Sequence, residues 1–272
     1  MKRILHATDY SENAIPALKY AFNLSKKLDA SLFVIHVFDS LPLGLDGEKE
    51  NKHLSILTEF CKKHYDGDID ELDIGFDAIE DKSIVHAILK KSYSLNADLI
   101  ISGTKSEKVL KELLLANKAK KLIEKAPCPV LTVPKEQKEH KIDTIVYASD
   151  FEENDISAIY DLVSIARAYD ATIKIVHVSA KENDTELDKL DWFTNLLNEK
   201  VKYNKVDVEV IYSQNTFDSL KAYFEEENAD MVTMLERNSK GILNMLFHID
   251  LVKKMETLGE IPLMSFNENR LK

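Results

Sequence analysis

The sequence predicts an α/β fold built as two tandem domains, each a doubly wound, open, five-stranded parallel sheet with helices on both faces. Three observations predict it. The first is an internal echo: Ile4-Leu5-His6-Ala7-Thr8-Asp9 returns as Ile145-Val146-Tyr147-Ala148-Ser149-Asp150. At the same offset, Val34-Ile35-His36-Val37 returns as Ile175-Val176-His177-Val178. A repeat of that length is too long for a solenoid unit and marks two related domains. The second is alternation of short apolar runs with segments of helical period, the pattern of βαβ units joined by right-handed crossovers. The third is size: 272 residues, 44% of them hydrophobic, supply two cores of ordinary dimensions.

Taken in order, Arg3 to Ala7 reads as a first strand. Ser11 to Leu28 follows with Ile15, Leu18, Ala21, Phe22 and Leu28 on one helical face, Ser11 as N-cap and Pro16 close enough to the start to be tolerated. Ser31 to Phe38 is a strand, and His53 to His64 a helix striped by Leu54, Leu57, Phe60 and Cys61. Ile69 to Phe76 alternates like a strand, Ile84 to Leu95 is helical, and Asp98 to Ser102 is a buried strand. Val109 to Lys125 is a helix and Val130 to Val133 the last strand of this half. The polar stretch Pro134 to Asp143 is the linker, which sets the domains at 1–136 and 141–268.

The second half repeats the order. Strands are expected at Thr144 to Ala148, Thr172 to Val178, Val206 to Tyr212, Met231 to Met234 and Leu263 to Phe266. Between them come a helix striped by Ile156, Ile159, Leu162, Val163 and Ala166, and helices over Leu187 to Val201, Phe217 to Glu226 and Leu243 to Met255. Met245, Leu246 and Phe247 read as the core face of the last one.

The net charge of −11 opposes a nucleic acid or an anionic membrane as partner, because phosphates would be repelled. No apolar run is long enough to span a bilayer, and His6 and Asp9 interrupt the apolar start, so no export signal forms and a cytoplasmic location is expected. The two cysteines, Cys61 and Cys128, read as free and structural. His6, His53, His64, His86, His140 and His248 lack metal-ligand spacing, so no metal is expected.

In doubly wound sheets ligands sit outside the carboxyl ends of the strands, where strand order reverses. That directs attention to Thr8-Asp9 and to Ser102-Gly103. Asp9 and Asp150 suit ribose hydroxyls, and equally a turn or a helix cap. His36 and His177 sit at matched strand ends, where either suits a ligand or a base. There is no Walker loop, no Gly-x-Gly-x-x-Gly after a strand and no nucleophile elbow.

The strings Ala7-Thr8-Asp9-Tyr10-Ser11, Val34-Ile35-His36-Val37, Ala97-Asp98-Leu99-Ile100-Ile101-Ser102-Gly103-Thr104 and Ala126-Pro127-Cys128-Pro129-Val130-Leu131 resemble the universal stress protein family. The second half keeps Ala148-Ser149-Asp150, Asp170-Ala171-Thr172, Ala229-Asp230 and Ile261-Pro262-Leu263. The resemblance covers nearly the whole chain. It implies a Rossmann-like sheet of strand order 3-2-1-4-5, often paired through the fifth strands. It also implies a division between ATP binders and non-binders. The binders resemble one another in a Gly-x-x-Gly-(nine residues)-Gly-Ser/Thr stretch after the fourth strand. Its glycines bring backbone N–H groups to phosphate oxygens.

That stretch is eroded here. Gly103 stands at the first glycine, but Ser106 and Ala116 replace the second and third, and Asn117 replaces the hydroxyl. In the second half the positions fall on Leu235, Asn238, His248 and Ile249, with Asp250 beside the phosphate place. The reading is therefore a non-enzymatic stress-response protein with no required cofactor. ATP binding is expected to be lost in the second domain and weak or lost in the first. The alternative is an ATP- or AMP-binding signalling protein using Ala7, Asp9, Val37, Gly103, Ser106 and Asn117, with Lys105, Lys118, Lys120 and Lys121 nearby. A slow ATP hydrolase is the third. Pairing of the two domains about a pseudo-twofold axis, through Val130 to Val133 and Leu263 to Phe266, is expected, with room for a homodimer of whole chains.

Overall fold

The computed structural model describes residues 1–39, 46–103, 117–137, 141–236 and 261–268, the side chains of 46–48 and 117–120 excepted. The chain divides into two compact units, Met1–His140 and Lys141–Lys272.

The first unit holds strands β1 (Arg3–Ala7), β2 (Ser31–Phe38), β3 (Ile74–Glu80), β4 (Leu99–Gly103) and β5 (Val130–Val133). Its helices are α1 (Ile15–Leu28), α2 (Asp46–His64), α3 (Ile84–Leu95) and α4 (Asn117–Lys125). β1 pairs with β2 and β4, β2 with β3, and β4 with β5, all parallel, so the order is 3-2-1-4-5. The second unit holds β6 (Thr144–Ala148), α5 (Glu153–Tyr169), β7 (Thr172–Ser179), α6 (Asp184–Lys200), β8 (Val206–Tyr212), α7 (Thr216–Glu226), β9 (Met231–Glu236) and β10 (Leu263–Asn267). Its pairings, again all parallel, run β8-β7-β6-β9-β10, the same order.

The central strands are apolar because both faces are covered. Ile4, Leu5, Leu32, Val34, Ile35, Leu99, Ile100 and Ile101 are fully buried, each worth about 2 kcal/mol of transfer free energy. Onto them α1 lays Ala17, Leu18, Tyr20, Ala21, Phe22 and Leu24. In the second unit α5 lays Ile156, Ile159, Leu162, Val163 and Ala166.

Two devices recur in both units. The helix after the first strand ends on an aspartate in the left-handed region, Asp29 (φ 50°) and Asp170 (φ 57°). Asn96 (φ 47°) and Asn228 (φ 49°) do the same ahead of β4 and β9. Short polar side chains tolerate that conformation better than branched ones do. The next residues but one after those asparagines, Asp98 and Asp230, act as clamps. Asp98 accepts hydrogen bonds from the N–H groups of Lys2 (2.7 Å) and Arg3 (3.0 Å). Asp230 accepts them from Asp143 (2.7 Å) and Thr144 (2.9 Å). Each fixes the entry into its unit's first strand from the neighbouring strand.

Three details differ from the sequence reading. The expected strand over Ile69 to Phe76 begins as a 3₁₀ turn, Ile69–Glu71, capped by Asp68, and the strand itself is Ile74–Glu80. The register with β2, Leu32 to Ile74 through Phe38 to Glu80, selects those residues. α2 starts at Asp46, before the expected His53, through a polar run without a stripe. Ser11 does not cap by its side chain; a 3₁₀ turn, Glu12–Ala14, follows it, and α1 begins at Ile15. Asn117 to Lys125 is helical as read, whereas 109–116 and the expected helix over Leu243 to Met255, with Met245, Leu246 and Phe247, lie outside the described residues.

Candidate functional site

Parallel pairing places the ends of β1, β2 and β4 side by side. Ala7 is level with Ile35 and Ser102, so Val37 and Gly103 lie just beyond it on the two neighbouring strands. Ala7, Val37 and Gly103 are partly exposed, and Asp9 is exposed. The fold thus brings four of the six candidate residues to one carboxyl edge. Asn117 opens α4, its side chain undescribed, and Ser106 lies outside the described residues, as do Ala116, Asn238, His248, Ile249 and Asp250.

Asp9 and Gly103 both have structural engagements at that edge. Asp9 Oδ1 accepts from the Ser11 N–H (3.1 Å) and from the Ser11 hydroxyl (2.5 Å), closing the turn after β1. Asp9 is the turn former that the aspartate-turn reading offered. A Cβ on Gly103 would stand 3.2 Å from Ala17 Cβ and 3.6 Å from Ala14 Cα. The bare Cα of Gly103 therefore serves the close approach of β4 to the start of α1.

A column of rings finishes the edge. Tyr10 takes φ 62° and stacks on His36 at 3.9 Å between centroids. His36 stacks on His53 of α2 at 5.3 Å, and His53 on Phe38 at 4.2 Å. His36 Nδ1–H donates to the Thr8 carbonyl (2.9 Å), and the Tyr10 hydroxyl donates to the His53 carbonyl (3.1 Å). Burial holds His36 below the ordinary histidine pKa; His53 pushes the same way, while the Thr8 bond and Asp9 oppose. Burial also raises the Tyr10 hydroxyl and pushes the Cys61 thiol up to about 12. Beneath lies His6, fully buried, its Nδ1–H on the Ile101 carbonyl (3.1 Å) and its Nε2 without a hydrogen-bond partner. Burial brings its pKa down to about 4, so it is a neutral imidazole.

In the second unit the same backbone is finished with a carboxylate. Asp155, in the first turn of α5, is fully buried. Its Oδ1 accepts from the Tyr147 hydroxyl (2.9 Å). Its Oδ2 accepts from the Ser149 hydroxyl (2.9 Å) and from the N–H groups of Asp150 (3.2 Å) and Glu152 (3.1 Å). Donors at the strand end thus converge on the chain's own anion. Tyr147 and Asp155 stand where the first unit has His6 and Ala14. Strand pairing also puts Leu235 where the first unit has Gly103: Ala7 pairs with Ser102 and Ala148 with Met234, and these precede the two residues. Phe151, φ 54°, stacks on His177 at 4.6 Å as Tyr10 does on His36.

Reasoning from the sequence missed Asp155, the ring column and the Asp98 and Asp230 clamps. A signal for the first was present: the echo breaks jointly at His6/Tyr147 and Ala14/Asp155, a polar pair replacing a polar–apolar one. Among the described residues no group of His, Cys, Asp and Glu is placed to hold a metal, and no helix is long and apolar enough to cross a membrane.

Comparison with known proteins agrees with this geometry. The model of the universal stress protein family matches residues 1–134. Universal stress protein MJ0531 of Methanocaldococcus jannaschii is 32% identical, over 51% of this chain and 85% of that protein. MJ0577 of the same organism is 33% identical, over 48% and 94%. A universal stress protein of Archaeoglobus fulgidus has a solved structure similar over 97% of this chain and 96% of that one, with TM-score 0.64 and 19% identity, a likeness of fold.

Proposed function

The chain belongs to the universal stress protein family, and from that premise we propose that it is a non-enzymatic, cytoplasmic stress-response protein that acts by binding a partner. On this reading its second domain has given up nucleotide, and its first holds ATP weakly or not at all. The observation that carries the reading is Asp155. An adenosine phosphate would bring negative charge to an edge whose hydroxyls and amides already surround a buried carboxylate. Leu235 adds side-chain bulk where a phosphate loop needs bare backbone. In the first domain, Gly103 is committed to Ala17 and Asp9 to Ser11.

Titration calorimetry of the full chain with Mg-ATP tests this. The expected result is no saturable heat at micromolar concentrations. Micromolar binding that Asp9→Ala abolishes would overturn it in favour of the second reading, an ATP- or AMP-binding signalling protein. That second reading is supported by the exposure left at Ala7, Val37 and Gly103. It uses them with Asp9, Ser106 and Asn117.

The pairing of the domains belongs to the same proposal. β5 and β10 are short buried strands, each bonded on one side within its own unit. Such an edge is a template for another strand. Small-angle scattering that reads two separated beads, and not one particle, would remove it.

A further inference from the structure

The two ring columns differ at the residue contributed by the second helix of each unit. His53 stands two helical turns before Phe60 on α2, and Glu186 two turns before Phe193 on α6. Both phenylalanines meet the ring of the strand-end turn: Phe60 lies edge-on to Tyr10 at 5.6 Å, and Phe193 stacks on Phe151 at 4.6 Å. His53 and Glu186 are therefore counterparts. His36 and His177 are counterparts too, each tied by Nδ1–H to the carbonyl that follows the first strand of its unit. In the first unit the strand histidine faces an imidazole, whose Nδ1 is buried without a hydrogen-bond partner. In the second it faces a carboxylate, with His177 Nε2 3.4 Å from Glu186 Oε2. That oxygen is buried and makes no aligned hydrogen bond.

The consequence of adding a proton is opposite in the two places. A proton on either stacked histidine of the first unit puts a cation against an aromatic nitrogen. A second proton makes two like charges at ring-stacking distance. A proton on the strand histidine of the second unit completes an ion pair. We propose that α2 is a proton-released latch on the carboxyl edge of the first domain, held by stacked rings and freed by acid, while α6 on the second domain is held through the same acidification.

The charges around the latch do not cancel this. From the turn after β1, Asp9 is the carboxylate that favours a charged His36, but its Oδ1 already receives two bonds from Ser11. From β3, Asp77 is paired with Lys91 at 2.7 Å, and Glu80 at the strand end is exposed. At the end of β2, Asp39 is exposed. On α2 itself, Lys49 and His64 are partly exposed, Glu50, Lys52, Glu59, Lys62 and Lys63 are exposed, and the Cys61 thiol is neutral. The sign follows from linkage. His36 binds its proton less readily in the docked state than in water, so the released state takes up more protons. Docking is at full strength above the ordinary histidine value of about 6.5 and weakens as pH falls below it.

Hydrogen exchange of the full chain, followed by mass spectrometry at pH 7.5 and 5.5 and corrected for intrinsic amide rates, tests the latch. On acidification, protection of the α2 amides is expected to fall severalfold, with α6 unchanged. His53→Glu copies the second unit into the first and should flatten the response of α2. His53→Gln, uncharged at both pH values, should reduce it and decides the matter if the glutamate variant does not fold. Glu186→His should transfer acid sensitivity to α6. Protection of α2 that is indifferent to pH, a loss that both His53 variants leave intact, or an equal loss in α6 would each overturn the proposal.

Discussion

At the carboxyl edge of its sheet the first unit places His6, Ala14 and Gly103, and the second places Tyr147, Asp155 and Leu235. The backbone beneath is shared. The turn residue is left-handed in both, Tyr10 and Phe151, and the next histidine bonds back to the preceding carbonyl in both. What holds the turn is therefore separable from what fills the edge. Clamping by Asp98 and Asp230 at the opposite ends of the strands secures the sheets without using any edge residue. That separation leaves one edge partly exposed and lets the other be closed by a carboxylate of its own.

The largest break in the comparison is expected from Asp155→Ala. It takes the shared acceptor from the buried Tyr147 and Ser149 hydroxyls and from the part-buried amides of Asp150 and Glu152. A buried donor that loses its acceptor costs about 1–3 kcal/mol, and the part-buried amides recover much of theirs from water, so a loss of roughly 3 kcal/mol in the second unit is expected. Urea unfolding followed through Trp192, which lies on α6 of that unit, reads it. Tyr147→Phe removes one donor and not the acceptor, and should cost about 1 kcal/mol. Equal losses from the two substitutions would mean that Asp155 does not organise the edge.

The second break uses pH. His6 is buried with its pKa brought down to about 4, whereas the unfolded chain holds an ordinary histidine near 6.5. The unfolded state therefore takes up more protons. Stability of the first unit should be level above about pH 6.5 and fall below it, by at most roughly 3 kcal/mol at pH 4. The second unit has Tyr147 at that place and lacks this contribution. His6→Phe keeps the ring and removes the titration. Its denaturant midpoint, compared with that of the unaltered chain at pH 7.5 and 4.5, should gain on acidification; a parallel fall of both would reject the assignment.

The sequence made some parts of this arrangement legible and hid others, for physical reasons. Strands such as Ile4-Leu5 and Leu99-Ile100-Ile101 are read at sight, because burial on both faces leaves only apolar residues. The order 3-2-1-4-5 was legible only through the family resemblance, since apolar runs carry no information on which strand lies beside which. Ile69 to Phe76 misleads because a capped 3₁₀ turn also spaces apolar residues; pairing with β2, a long-range fact, sets the true strand. Asp9 could not be resolved between a ribose and a turn, because the same carboxylate serves either. Its bonds to Ser11 are visible only in three dimensions. Asp155 hides for a related reason: an acid in the first turn of a helix is the ordinary complement of the helix dipole. Nothing local says that this one faces inward to Tyr147.

The finest comparison concerns the two left-handed aspartates, Asp29 and Asp170. Both hold a conformation that glycine adopts at less cost, so Asp→Gly should stabilise each unit by about 0.5 kcal/mol, reduced by the greater freedom of glycine in the unfolded chain. The surroundings differ in an ion pair. Asp170 Oδ1 lies 2.7 Å from Lys205 Nζ, an exposed pair, and the same ammonium donates to the Asp170 carbonyl at 2.9 Å. Glycine keeps the carbonyl and loses the carboxylate. Exposed pairs contribute about 0.2–1 kcal/mol and are screened by salt. The gain from Asp170→Gly should therefore be smaller than that from Asp29→Gly at low ionic strength, and should approach it in 1 M salt, where the Debye length is about 3 Å. Thermal midpoints of the two variants across a salt series measure the difference. If it persisted unchanged at high salt, it would belong to the backbone and not to Lys205.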